Sequence, residues 1–197
     1  FGTHMEELLR RRHALERELS AALESGTQIE VHYQPVYAAA DGHVSSLEAL
    51  CRWQHPTFGA VSPEVFIPIA EEAGLIEKVG RLVLEDACSL LAELSPLNVT
   101  VAVNASALEL MAPGYPLRVL ETLARYSIAP SRLEIEITER VAADADGRAA
   151  SAVELLRSAG VKFAVDDFGK GNSSFGQLLN LDIDRIKIDK VFVDGIQ

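Results

Sequence analysis

Apolar and polar positions alternate over four separate runs, 98–104, 132–139, 161–167 and 184–189. Within each run one set of alternate positions is apolar. The other sets are Thr100, Ala102 and Asn104; Glu134, Glu136 and Thr138; Lys162, Ala164 and Asp166; and Arg185, Lys187 and Asp189. A period of two predicts strands whose apolar face packs against a layer of helices. Helical spacing fills the intervals 107–126, 146–159 and 174–181. Strand and helix therefore alternate, which predicts parallel strands with the helices outside. The polar faces then share one interior, with their functional groups gathered at the C-terminal strand ends. That is where a (β/α) barrel carries its chemistry.

Upstream the pattern differs. Residues 29–36 and 43–53 read as two strands joined by 38–42, whose Asp41-Gly42 pair signals a turn, so a hairpin opens the domain. On the second strand Glu48, Leu50 and Arg52 share a face. Helices are predicted over 63–72 and 76–94, the longer one burying Leu82, Leu84, Ala87, Leu90 and Leu91. Leu8, Leu15, Leu19 and Leu23 give an amphipathic helix over 6–24 that stops at Gly26. It is read as packing on its own domain in preference to a signalling coiled coil, because it lacks sustained heptads. Residues 1–5 read as a tag remnant, 6–26 as an N-terminal linker helix, and 27–197 as one barrel domain. A closed barrel of eight βα units takes about 250 residues, at the low end about 200. Here the sequence reaches only about a sixth strand, so the barrel is expected to be incomplete at its C-terminal side.

Composition narrows the choice of partners. With 197 residues, 48% of them hydrophobic, the chain suits a single globular domain. Asp and Glu number 29 against 18 Lys and Arg, a net charge of -11. A broad surface for a nucleic-acid polymer or an anionic membrane is excluded on that balance, and an anionic ligand must be met locally. Cys51 and Cys88 sit in apolar segments without metal-ligand spacing and read as reduced core thiols of a cytoplasmic domain. The sequence has no secretory signal and no apolar run of membrane length. A membrane anchor in a parent protein outside this segment is compatible with that reading.

The stretch 161–175 carries the strongest chemical signal: a buried strand ending in Asp166 and Asp167, then a loop with Gly169 and Gly171. Neighbouring strand residues point opposite ways, so both carboxylates reach one site only if the chain turns between them, and Phe168-Gly169 permits this. Glu48, Asn104, Glu136, Asp166 and Asp167 together offer oxygen donors without cysteine or histidine. Such a set suits Mg²⁺ or Mn²⁺, with Ca²⁺ also compatible, better than structural zinc. Each residue alone has a structural explanation: Asn satisfying the backbone, Glu paired with Arg, Asp in a turn. Clustered carboxylates repel, however, and a cation resolves the conflict. Lys187 either neutralises one of the acids or acts on an attacking water. Arg52 has the fork for a phosphate, Gln34 an amide for a base edge, and Glu139 is placed to anchor the loop after Asp167. Gly169-Lys170-Gly171 lacks the third glycine of a dinucleotide fingerprint, and His13, His32, His43 and His55 show no ligand spacing.

The motifs EALCRW at 48–53, Val103-Asn104, Glu136-Ile137-Thr138-Glu139, Asp166-Asp167-Phe168-Gly169 and Lys187-Ile188-Asp189 follow one another as in the EAL family. The chain resembles that family over nearly its whole length. The resemblance implies a TIM-like barrel of EAL type with an antiparallel first strand. It also implies a Mg²⁺- or Mn²⁺-dependent phosphodiesterase that cuts cyclic di-GMP to linear pGpG, in a complete site with two ions. By motif match Glu48, Asn104, Glu136, Asp166 and Asp167 are metal ligands, and Lys187 acts on the catalytic water beside Glu48 and Asp166. Gln34 and Arg52 contact the substrate, and Glu139 braces the loop. Lys170 and Asn172 stand where the family commonly has threonine and tyrosine. The family's late glutamate and last two βα units do not occur in this sequence.

Two functions compete at this stage. One is the phosphodiesterase; the other is a catalytically impaired cyclic di-GMP receptor or a regulatory interaction module, favoured by the missing segment. A barrel left open is also expected to associate as a homodimer or strand-exchanged oligomer. An upstream sensory domain is the expected source of the input signal.

Overall fold

A computed structural model describes residues 2–143, 148–169 and 183–193. Its elements are α1 (Gly2–Ser25), β1 (Ile29–Tyr37), β2 (Val44–His55), β3 (Gly59–Val61), α2 (Pro63–Glu72) and α3 (Ile76–Glu93). There follow β4 (Thr100–Asn104), α4 (Ala107–Met111), α5 (Tyr115–Arg125), β5 (Leu133–Thr138), α6 (Glu139–Ala143), α7 (Arg148–Ser158), β6 (Lys162–Phe168) and β7 (Arg185–Ile188). A last helical turn spans Lys190–Val193. The helix expected over 174–181 lies outside the described residues.

The sheet runs in the order β1-β2-β4-β5-β6-β7. β1 is antiparallel to β2, and every later pairing along that path is parallel. β3 pairs with the far end of β2. The architecture is α/β, a largely parallel sheet with helices on its outer face, as in the wall of a (β/α) barrel. Among the described residues β7 pairs with β6 alone and the path does not return to β1.

The alternation seen in the sequence decides which layer each side chain joins. Val101, Val103, Leu133, Ile135, Ile137, Phe163 and Val165 face a core shared with Leu84, Ala87, Leu91, Val119, Leu123, Val153 and Leu156 of the outer helices. The intervening Glu134 and Glu136 are equally buried but lie on the barrel interior. A second core joins Leu15, Leu19 and Ala22 of α1 to Trp53, Phe66, Ile69, Ala70 and Ile76, so α1 is packed on the domain. Cys88 is buried and Cys51 half-buried, both free. Burial pushes the Cys51 thiol up to about 11 and the Cys88 thiol up to about 12, which keeps both protonated and unreactive at neutral pH. Among the described residues no helix is long and apolar enough to cross a membrane.

Several boundaries differ from the expected ones, each for a local reason. The helix expected over 107–126 is two helices. Ala112 is extended ahead of Pro113, whose ring disfavours helical geometry in its predecessor, and Gly114 is left-handed at φ 82°. Glu139 opens α6 and does not continue β5. Asp189 lies off the strand: its side chain accepts from the Val191 N–H and caps the last helical turn, so it does not share the inward face of Arg185 and Lys187. The first helix begins at Gly2, upstream of Glu6, and so includes Thr3 to Met5. The strand β3 is too short to show a period.

One side chain ties the N-terminal strand ends together. The Arg132 guanidinium donates to the carbonyls of Leu91, Leu94 and Leu97 at 3.1 Å and of Val99 at 3.2 Å. It thereby caps the end of α3 and holds the α3–β4 connection against the start of β5. Arg132→Met strands those acceptors and is expected to lower the unfolding free energy by about 2–4 kcal/mol. Arg132→Lys should recover only part, because an ammonium lacks the fork. Urea denaturation of the three proteins checks both statements.

Candidate active site

The parallel strands bring their C-terminal ends to one level. Asn104 lies beside Glu136 in register, and Thr138 beside Asp166. Because inward positions recur every second residue, β2, β5 and β6 each deliver one carboxylate to the same point. One oxygen each from Glu48, Glu136 and Asp166 lies within 4.8 Å of the others. From β7, Lys187 Nζ reaches all three: Glu136 Oε2 at 2.6 Å, Glu48 Oε2 at 3.1 Å and Asp166 Oδ1 at 3.4 Å. The Asn104 amide donates to Glu48 Oε1 at 3.4 Å.

Burial sets the electrostatics. Glu136 is 2% exposed. Desolvation pushes its carboxyl up to about 7 against the opposing Lys187 hydrogen bond, with Glu48 and Asp166 adding to the rise. Burial disfavours the Lys187 ammonium, yet the Glu136 hydrogen bond and the three carboxylates outweigh it and raise its pKa. One ammonium faces three acids. The excess negative charge and the oxygen-only donors fit a hard divalent cation, and the side chains able to hold it are already convergent.

Asp167 occupies a different position. Its φ is 56°, the pairing of β6 with β7 shifts register between Val165 and Phe168, and its N–H donates to Asp166 Oδ1 at 2.9 Å. The expected turn between the two acids thus begins at Asp167 itself, one residue before Phe168-Gly169. Asp167 borders the same opening as Asn104 and Glu136 but is not in the tight triple of carboxylates. Glu139, 5% exposed, accepts from the Gly169 N–H at 3.0 Å, which joins the start of α6 to the turn after Asp167.

Glu136, Asn104 and Asp167 border a cleft of about 1040 Å³ that is also lined by Leu50 and Arg52. The Arg52 guanidinium donates to the Cys51 carbonyl at 3.2 Å. Gln34 is exposed on β1, across from Glu48 in register. One wall of the cleft was not foreseen. Pro63, Glu64, Ile67, Pro68 and Glu71 line it from α2, while Phe66, Ile69 and Ala70 on the opposite side of that helix are buried. Their helical spacing predicts the helix but carries no motif that marks a cleft wall. Arg140 and Met111 also border the opening. Below the acids lies a second polar layer: Arg185 stands 3.3 Å from buried Glu134 and donates to Ser46 Oγ at 3.1 Å.

The EAL domain family matches residues 16–197. An uncharacterized signaling protein of Caulobacter vibrioides is 44% identical over 197 residues, covering 100% of this chain and 24% of that protein. The cyclic di-GMP phosphodiesterase NbdA of Pseudomonas aeruginosa is 39% identical over 185 residues, covering 92% of this chain and 24% of its own. The chain therefore spans about a quarter of the length of these relatives. Among solved structures, the PaMucR phosphodiesterase in complex with c-di-GMP superposes with a TM-score of 0.85 at 38% identity, over 92% of this chain and 74% of that one.

The left-handed backbone at Asp167 has a measurable consequence. A β-branched side chain is strained there, so Asp167→Val should lower the unfolding free energy by about 1–2 kcal/mol. Glycine accepts the conformation, and Asp167→Gly should stay within about 0.5 kcal/mol of the parent. Chemical denaturation of both variants without added metal checks the pair.

Proposed function

Since the chain belongs to the EAL domain family, we propose that its strand-end acids and Lys187 form the centre of a metal-dependent phosphodiesterase that hydrolyses cyclic di-GMP to linear pGpG. The observation that carries this reading is the meeting of Lys187 with Glu48, Glu136 and Asp166 from three separate strands. Glu48, Asn104, Glu136, Asp166 and Asp167 are the residues that would hold Mg²⁺ or Mn²⁺, two ions in a complete site. A cation held there would supply Lewis acidity to the reaction. Arg52 receives a phosphate through its fork, and Gln34 offers its amide to the nucleotide. Lys187, with Glu48 and Asp166, orients the water and holds its proton inventory. Glu139 keeps the turn after Asp167 in place through Gly169.

This activity belongs to a cytoplasmic segment of a longer signalling protein, with a sensory domain upstream and cyclic di-GMP as the ligand. A second reading rests on one feature. Lys187 sits on β7, whose outer side has no partner strand among the described residues. A site completed on an edge strand suits a receptor that binds the nucleotide with weak or no turnover.

Chromatography of cyclic di-GMP incubated with the protein and Mn²⁺ or Mg²⁺ separates the two readings: pGpG supports the enzyme, and binding by calorimetry without pGpG supports the receptor. Asp166→Asn should weaken Mn²⁺ binding at least about tenfold with little loss of stability. Arg52→Ala should weaken nucleotide binding more than metal binding, and the reverse ranking would contradict the phosphate role. The exposed edge has its own outcome. Ile186 and Ile188 on β7 and Val191 and Phe192 beyond it are exposed, so the 197-residue chain is expected to associate as a homodimer or strand-exchanged oligomer. A monodisperse monomer in light scattering would overturn that expectation.

A further inference from the structure

We propose that Glu109 is a positioning residue that fixes the turn after β4 and thereby aims Asn104 at Glu48. The role rests on the metal-site reading above, and it concerns a residue that none of the site motifs contains. Glu109 lies on α4, two residues short of its end, and is only 5% exposed. It closes a reciprocal cap: the Ser106 N–H donates to Glu109 Oε2 at 3.0 Å, and the Glu109 N–H donates to Ser106 Oγ at 3.3 Å. The preceding N–H, that of Ala105, donates to the Glu136 carbonyl at 2.9 Å. Both backbone donors that follow Asn104 are therefore held, one by the strand carrying Glu136 and the other by Glu109. Asn104 reaches Glu48 across 3.4 Å, so a small rotation of this turn would remove the contact.

A capping box needs no burial, since its partners are backbone groups at a helix end. Here the carboxylate is driven inward against α3. A Cβ added to Gly80 would stand 1.7 Å from Glu109 Oε1, so only glycine leaves room for it. Burial pushes the Glu109 carboxyl up to about 7, the Ser106 hydrogen bonds and Arg118 of α5 oppose that rise, and Arg118 also pairs with Glu77 of α3 at 3.1 Å. Asn104, Gly80, Arg118 and Glu109 line one narrow crevice. Helices α3 and α5 thus press on the turn through a single side chain, and the turn carries a proposed ligand at its other end.

The test is a cycle of variants in the 197-residue chain, read by Mn²⁺ calorimetry and by hydrogen exchange at the Ser106 amide. Glu109→Ala should weaken Mn²⁺ binding about tenfold, the size of effect expected for an outer residue that orients a ligand. Glu109→Gln keeps an oxygen for the Ser106 N–H and should restore affinity. Gly80→Ala, which displaces Glu109 without altering it, should reproduce the loss. In an Asn104→Ala background Glu109→Ala should cost less than about a further twofold, because the two act through one contact. Exchange at Ser106 should quicken in Glu109→Ala and Gly80→Ala and return to the parent rate in Glu109→Gln. Unchanged exchange, or losses in Mn²⁺ affinity that add in the double variant, would overturn the role. A parent chain that binds no Mn²⁺ yet shows the exchange pattern would instead overturn the metal-site reading, with the hold on the turn upheld.

Discussion

Concentrating three carboxylates within 4.8 Å of one another on the inside of a sheet is unfavourable unless a cation joins them. Lys187 is that cation within the chain, and its ammonium reaches each acid on a different strand. The arrangement constrains the fold around it. Strands β2, β5, β6 and β7 must lie in one register and one direction so that every second side chain arrives at the same level, and a slip of one residue would send an acid into the helical layer. The outer hydrophobic core enforces that register: Ile135 and Ile137 on one face of β5 leave Glu136 no orientation but inward. Packing thereby enforces a charge arrangement that would not assemble on its own. The ammonium thereby offsets the mutual repulsion of the three acids from within the chain.

Much of this was legible as period two. The run LEIEIT at 133–138 declares both its faces, and the matching phase of Asn104, Asp166 and Lys187 brings the site together without any long-range information. The hairpin β1–β2 was equally plain because Asp41-Gly42 marks its turn. Other features depend on contacts that no local pattern carries. The position of Glu109 follows from a glycine on α3, and that of Arg132 from four carbonyls of the α3–β4 region. The break between α4 and α5 was written in Pro113-Gly114, but the apolar spacing across it continued and masked the signal. Asp167 illustrates the opposite case: two adjacent acids demanded a turn, yet which residue would adopt the left-handed conformation depended on how β6 meets β7.

The helix α2 links the two halves of the molecule. Phe66, Ile69 and Ala70 are buried in the core that holds Leu15, Leu19 and Ala22 of α1, while Ile67, Pro68 and Glu71 face the cleft. With one face fixed by packing, the other is a rigid wall and not a loose lid. Glu139 does similar work across the cleft, where its bond to the Gly169 N–H ties the start of α6 to the turn carrying Asp167.

The place of Lys187 in the chain bears on the order of assembly during synthesis. Its acids come from β2, β5 and β6, all of which leave the ribosome before β7, and the Arg185–Ser46 bond beneath them spans 139 positions. Until β7 docks, the nascent sheet holds a knot of negative charge without the ammonium that pairs with it among the described residues, and closing so long a loop is entropically slow. The centre therefore assembles only once β7 has docked, and the lysine that offsets its charge is the last of these four side chains to arrive.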